Sequence, residues 1–298
     1  MLPFRYRHRS LALLLLLSLW AVLSLWVVAA GDSRLRAESA SANAAYVVPS
    51  FWDPVYRQER PNLSGRPTVR FLTEAQDPPF SFIGADGLPT GFHVELVRAI
   101  CEELEIACTI QPLRWDLLVE GLDRDQGDAI IAALRIDEES RARYRFSRQF
   151  LTRPARFAAR RDADRLDITP QALSDRTVAV LAETAHEAYL RAFFGDVGIR
   201  PFDDANAARE ALMEGEVYAL FGDGLTLSLW LNGAASRRCC EFRGGPYTES
   251  RYFGEGFAVA VAPSDEELGR AVDYALSRIH ADGTYAEIFQ RYFPISFY

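Results

Sequence analysis

Residues 132–147 read AALRIDEESRARYRFS and carry four arginines, Arg135, Arg141, Arg143 and Arg145. A guanidinium is planar and permanently charged, and its parallel N–H groups match the two oxygens of a carboxylate. Any of the four, set at the mouth of a cleft, can hold an acidic ligand; on an ordinary surface all four are simply solvated. The chain contains no lysine, so each of its 33 basic residues is an arginine. Asp223 is the second candidate. It follows the apolar run Val217 to Phe221, where a carboxylate can receive an ammonium group or cap a helix over Leu225 to Leu231. Thr184 and His186 open a helical segment, whose unpaired N–H groups favour an anion. The bland readings are an N-cap for Thr184 and a surface position for His186.

The elements that must position these residues are legible from periodicity. Val69 to Thr73 alternates as a strand, Val94, Val97, Cys101 and Leu104 keep helical spacing, and Cys108 and Ile110 alternate again. Trp115, Leu118, Val119 and Leu122 predict a helix, and Asp128 to Leu134 (DAIIAAL) a strand buried on both faces. Val178 to Leu181 is a strand, Thr184 to Phe194 and Ala207 to Glu214 are helices, and Val217 to Phe221 is another strand. Phe257 to Val261 is a last strand, followed by a helix from Asp265 to about Ala281, with Ser264 and Glu267 as a capping box and Gly283 as its end. Alternating strands and helices predict an α/β fold with mainly parallel sheets. Ligands in such folds bind at the carboxyl ends of strands, which singles out Leu134 and Arg135, Ala182 to Thr184, and Asp223.

At 49% hydrophobic and 25% charged the composition is that of a globular protein, and 298 residues suffice for two domains. Residues 1–10 are basic and Leu11 to Ala30 form an apolar run ending in small residues. Residues 1–30 therefore read as a cleaved secretory signal, or else as a retained anchor long enough for a bilayer of about 30 Å. Either places the folded part outside the cytoplasm. Beyond residue 30 there are 30 Arg against 41 Asp and Glu, a net of −11, which argues against nucleic acid or anionic lipid as partner. Residues 31–66 are polar and proline-bearing, a linker. Four cysteines fit an oxidising compartment. Cys101 and Cys108 can staple a helix to the next strand; the adjacent Cys239 and Cys240 are left open. No Cys/His spacing suggests a metal, and no cofactor is expected.

The stretches DPPFSFIGADGLPTGFHVEL, RWDLLVEGL, GDAIIAAL, the Phe146-Ser147 pair, ALFGD, and RYFGEGFAVAV running to DGTYAEIFQRYF occur in that order from about Val69 to Tyr298. In this series the chain resembles the bacterial extracellular solute-binding proteins of the polar amino-acid uptake class, family 3. The Cys101–Cys108 spacing also resembles a disulfide of some members. The resemblance implies an α/β periplasmic-binding-protein type II fold, with lobe 1 over 67–153 and 250–298 and lobe 2 over 154–249, joined by a two-segment hinge. It further implies capture of a small charged solute, an amino acid or related compound, by lobe closure, delivery to an ABC transporter permease, a periplasmic location, and a monomer.

Family members hold a ligand α-carboxylate with an arginine that follows isoleucine and threonine and precedes phenylalanine by six. On IDEESRARYRF that position is Ser140, with Arg141 one residue late and Arg135 as its rival. Arg141 is the favoured ligand contact, with Arg135 contributing; Arg143 and Arg145 are expected in solvent. Asp223 matches the family's ammonium-binding aspartate, Trp115 a cleft aromatic, and Ala133 the cleft wall. Phe80 belongs to the PPF motif, as a ligand contact or as core support. Asp77 stands where members place an aromatic, which leaves open a cationic or modified amine, or an organic acid held differently. Two other functions compete. One is a membrane-anchored ligand sensor or partner-binding subunit. The other is a cyclohexadienyl dehydratase-like enzyme with Glu183 as acid, for which no nucleophile–base pair is visible.

Overall fold

Strand β1 (Thr68–Glu74) buries Val69, Phe71 and Thr73, as its alternation predicts, and Leu72 on its other face as well. The structure, a computed structural model, describes residues 46–52 and 59–298. The expected signal or anchor lies outside the described residues, as does most of the expected linker. Among the described residues no helix is long and apolar enough to cross a membrane.

After β1 a small antiparallel sheet forms from β2 (Gln76–Asp77), β3 (Ser81–Ile83) and β4 (Pro89–Thr90). Helix α1 (Phe92–Leu104), strand β5 (Ala107–Leu113), helix α2 (Trp115–Asp123), strand β6 (Ala129–Ile131), helix α3 (Glu138–Arg143) and strand β7 (Arg145–Phe146) follow. The chain then enters β8 (Ala155–Arg160), β9 (Thr177–Leu181), α4 (Ala185–Phe193), β10 (Gly198–Phe202), α5 (Ala205–Met213), β11 (Ala219–Asp223), α6 (Gly224–Asn232), a 3-10 turn (Ala234–Ser236) and β12 (Cys240–Tyr247). It returns through α7 (Ser250–Phe253) to β13 (Val259–Val261), α8 (Glu266–Ala281) and α9 (Thr284–Tyr292).

Two five-stranded sheets result, β5-β1-β6-β13-β7 and β10-β9-β11-β8-β12. Both are mixed rather than mainly parallel. β1 is parallel to β5 and β6, and β9 to β10 and β11, but β13 and β7 in the first sheet and β8 and β12 in the second run antiparallel to their neighbours. The antiparallel strands flank the two places where the chain passes between sheets. Apolar side chains cover both faces of the second sheet: Phe157, Val180 and Phe221 pack on one side, and Ala158, Leu220 and Trp230 on the other.

The two crossings pair with each other. Ser147 N–H donates to Val259 O (2.8 Å), Phe150 N–H to Phe257 O (2.9 Å) and Phe257 N–H to Leu151 O (2.7 Å). Gly256 has φ 105, and a Cβ there would stand 2.4 Å from Leu151 O, so this close approach requires glycine. The C-terminus ties down the same region: Thr152 N–H donates to the Tyr298 hydroxyl at 2.9 Å, and that hydroxyl donates to Thr152 O at 2.5 Å.

Beside the crossings lies an aromatic core that encloses a histidine. His93 of α1 stacks on Phe80 (centroids 4.8 Å apart) and meets Phe150 and Phe257 edge-on. It is 1% exposed, and neither ring nitrogen has a hydrogen-bond partner among the described residues. Burial lowers its pKa to about 3.

Cys101 of α1 and Cys108 of β5 form a disulfide, as expected, and Cys239 and Cys240 are bonded to each other. One expected cap differs. The N-cap of α8 is Asp265, whose carboxylate accepts from Leu268 N–H at 3.2 Å, and not Ser264. A charged acceptor is favoured at the positive end of the helix dipole.

Candidate functional site

Between the two sheets lies a cavity of about 740 Å³. Its walls come from the ends of elements. Ala133 to Asp137 leave the carboxyl end of β6, Asp223 terminates β11, and His186 sits in the first turn of α4. Arg153 lies on the first crossing, and α7 with Gly254 to Phe257 brings in the second. Strand ends supply a site here because backbone groups left unpaired at a sheet edge are open to a ligand.

Asp223 is the most heavily engaged acid of this cavity. It caps α6, its Oδ1 accepting from Thr226 N–H at 2.8 Å and from the Thr226 hydroxyl at 2.7 Å. Arg153 meets it fork to fork, with Nε 3.0 Å from Oδ2 and Nη2 2.9 Å from Oδ1. Burial alone would raise the Asp223 pKa, but the Arg153 charge and the bonds from Arg153 and Thr226 hold it below the ordinary carboxylate value. Asp223 is therefore the helix cap that one sequence reading expects, and it also stands on the cavity wall.

Arg153 reaches a second carboxylate electrostatically. Asp77 is half-buried, and burial raises its pKa while the Arg153 charge opposes the rise. Asp77 does not line the cavity itself. His186 does, stacked on Phe253 with centroids 5.2 Å apart. Burial lowers its pKa, opposed by Asp223 and assisted by Arg153.

The four arginines of the opening stretch separate. Arg135 lines the cavity with its side chain 88% exposed, its Nε 3.6 Å from Asp137. Arg141 does not line it; its guanidinium pairs with Glu255, which does. Arg141 thus meets the site through an acid and not by facing the cavity, because the last turn of α3 points it across to the second crossing. Arg143 pairs with Asp123 and Arg145 with Glu266, surface ion pairs of small energetic weight. Ser140 is spent locally. Asp137 N–H donates to its hydroxyl and Ser140 N–H to Asp137 Oδ1, both at 2.9 Å, a reciprocal cap that starts α3.

Three further candidates stand away from the cavity. Phe80 is 3% exposed inside the aromatic core, where its ring stacks on His93; of its two readings, it is core support. Trp115 is 48% exposed as the first residue of α2, so it serves neither as a wall of this cavity nor as core. Thr184 caps α4, accepting from Glu187 N–H at 3.3 Å, and does not reach the cavity. Glu183, the acid considered for a dehydratase, is exposed and outside the cavity, its N–H bonded to Glu187. Ala133 lines the wall. Sequence reasoning missed Arg153, Arg251, Phe253 and Glu255. The signal for Arg153 was its place at the expected lobe boundary, since a crossing segment must border the cleft. Among the described residues no group of three or more His, Cys, Asp or Glu could hold a metal.

Residues 69–295 match the family described as bacterial extracellular solute-binding proteins, family 3. The L-arginine-binding protein of Pseudomonas aeruginosa is 29% identical over 80% of this chain and 92% of its own length. The lysine/arginine/ornithine-binding periplasmic protein of Escherichia coli is 28% identical over 78% of this chain and 89% of its own. Among solved structures, the L-cystine solute receptor of Neisseria gonorrhoeae, in its unliganded open conformation, superposes with a TM-score of 0.66 at 19% identity. It covers 77% of this chain and 94% of that one. An ancestral cyclohexadienyl dehydratase superposes at 0.64 and 19% identity, over 78% and 95%. At such identities the likeness is one of fold.

Proposed function

The chain belongs to the bacterial extracellular solute-binding proteins, family 3, and from that premise we propose that it captures a small charged solute, an amino acid or related compound, in the cavity between its sheets. One observation carries the reading. The cavity of about 740 Å³ takes its walls from both sheets and both crossings, and it concentrates Arg135, Arg153, Arg251, Asp137, Asp223 and Glu255. A site bounded by two bodies favours whichever arrangement of them gives the ligand more contacts, so binding shifts the population towards closure.

The bodies are assigned as lobe 1 over 67–153 and 250–298 and lobe 2 over 154–249, in keeping with the strands that make each sheet. Arg135, Arg153, His186 and Asp223 are the assigned ligand contacts, with Ala133 as wall and Asp77 close by. The closed form docks as a monomer on an ABC transporter permease in the periplasm, after export directed by residues 1–30. Binding without turnover is favoured over catalysis. The lining acids are each paired with an arginine, Asp223 with Arg153, Glu255 with Arg141 and Asp137 with Arg135, which leaves none of them placed as a free general acid or base.

A thermal-shift screen over amino acids, amines and small organic acids tests the reading, because a ligand selective for the folded state raises the melting temperature. At least one compound is expected to do so in proportion to its concentration. A flat response across the panel refutes it. Incubation with prephenate or arogenate tests the catalytic alternative, and no turnover is expected.

A further inference from the structure

Within the proposed solute-binding cavity, the acids and the arginines are not equally free. Asp223 accepts four hydrogen bonds, two from Arg153 and two from Thr226. A carboxylate offers about four lone-pair sites. Three of the four fall on Oδ1 and one on Oδ2, so a single lone pair of Oδ2 remains, and a ligand ammonium group taking it would meet the like charge of the Arg153 guanidinium. The other two lining acids are also partnered: Glu255 by Arg141, and Asp137 by the Ser140 N–H together with Arg135.

The three lining arginines equal the three lining acids in number, but they keep more unfilled donors. Arg251 pairs with no carboxylate among the described residues; its guanidinium lies 6.0 Å from the Tyr252 ring centroid. Arg135 has only a 3.6 Å contact and is almost wholly exposed. Arg153 spends Nε and Nη2 on Asp223, which leaves Nη1. Asp77 is the remaining acid in range, and burial disfavours its charged form.

We infer that this cavity selects a small carboxylate anion, a mono- or dicarboxylate, and does not require an α-ammonium group, because Arg153 already occupies the carboxylate that would seat one. Arg135, Arg153 and Arg251 converge on such an anion as separate donors, and Arg153 is the residue that sets the preference. A guanidinium held at one end by Asp223 is pre-oriented, so it loses little freedom when the ligand binds.

The inference rests on the solute-binding reading and is separable from it. Calorimetry on the purified chain compares succinate and glutarate with aspartate and glutamate, and includes arginine and lysine. These pairs differ in the α-ammonium group alone. The expected result is that each dicarboxylate binds within about tenfold of its amino acid, or more tightly, since about tenfold is the least that a charged hydrogen bond confers. Any amino acid, arginine and lysine included, bound more than about tenfold tighter than the dicarboxylates overturns the inference while leaving the solute-binding reading standing. Binding of no compound overturns both. R153M, checked by its melting curve, releases Asp223 and should move the preference towards the amino acids by about tenfold or more. An unmoved preference in a folded R153M removes Arg153 from that role. Should R153M fail to fold, the wild-type comparison alone decides.

Discussion

Replacing His93 with phenylalanine should make the protein less sensitive to acid. The native imidazole is enclosed by Phe80, Phe150 and Phe257 with neither nitrogen hydrogen-bonded among the described residues, and burial holds its pKa at about 3. In the unfolded chain the same group titrates near its ordinary value of about 6.5. Between those two values the unfolded chain binds a proton that the folded chain refuses. Stability is therefore complete above about pH 6.5 and is lost as the pH falls towards about 3. Each pH unit in that window is worth about 1.4 kcal/mol, so lowering the pH from 7.5 to 5 costs about 2 kcal/mol through His93 alone. Phenylalanine keeps the ring contacts and has no proton to bind. Whatever its larger volume costs is independent of pH and cancels in the comparison. Urea denaturation of both proteins at pH 7.5 and pH 5 reads the effect. With a slope of about 3 kcal/mol per molar urea, the wild type should lose about 0.7 M more of its midpoint than H93F does. Equal losses in the two proteins would refute the reasoning, because they would mean that His93 carries the same charge in both states.

His280, stacked on Tyr285 with its pKa lowered to about 4 by burial, should contribute a similar acid-dependent loss, and H280F should recover it in the same assay. Asp223→Ala removes the cap of α6 and should cost about 1 kcal/mol or more in chemical denaturation, whereas Asp223→Asn retains an acceptor and should cost less. Cys101→Ala with Cys108→Ala opens a short loop and should lower stability by about 2 to 3 kcal/mol; non-reducing peptide mapping should recover the two cysteines linked. Arg141→Ala should weaken ligand binding more than Arg143→Ala, because it leaves Glu255 unpaired at the cavity wall while Arg143 serves only Asp123; calorimetry giving equal constants would contradict this.

Helices α1, α2, α4, α5, α6 and α8 and the parallel strands β1, β5, β6, β9 and β11 were legible because their apolar residues recur at regular spacing. The spacing of Val94, Val97, Cys101 and Leu104 became α1, and the AII of DAIIAAL became the fully buried β6, shorter than the run of Asp128 to Leu134. Antiparallel β8 was not read, since ARFAAR carries arginines at both ends of its run and shows no alternation. In the site, Asp223 announced itself by ending an apolar strand before a helix. Arg153 did not, because its significance lies in a partner 70 residues away, across a crossing whose path is a tertiary fact. The pairing of Arg141 with Glu255 was hidden for a related reason: spacing to a phenylalanine places a residue along the chain but says nothing of which acid it will meet.

The way the two sheets share the chain also dictates the order in which they can be finished. The second draws all five strands from residues 155–247, one uninterrupted stretch. The first leaves β6 with a single neighbour, and β7 with none, until Val259–Val261 has been made. As a nascent chain emerges amino end first, Ala129–Ile131 spends more than a hundred residues of synthesis as an open hydrophobic edge, the kind that recruits foreign strands. The half that is made first is the half that must wait.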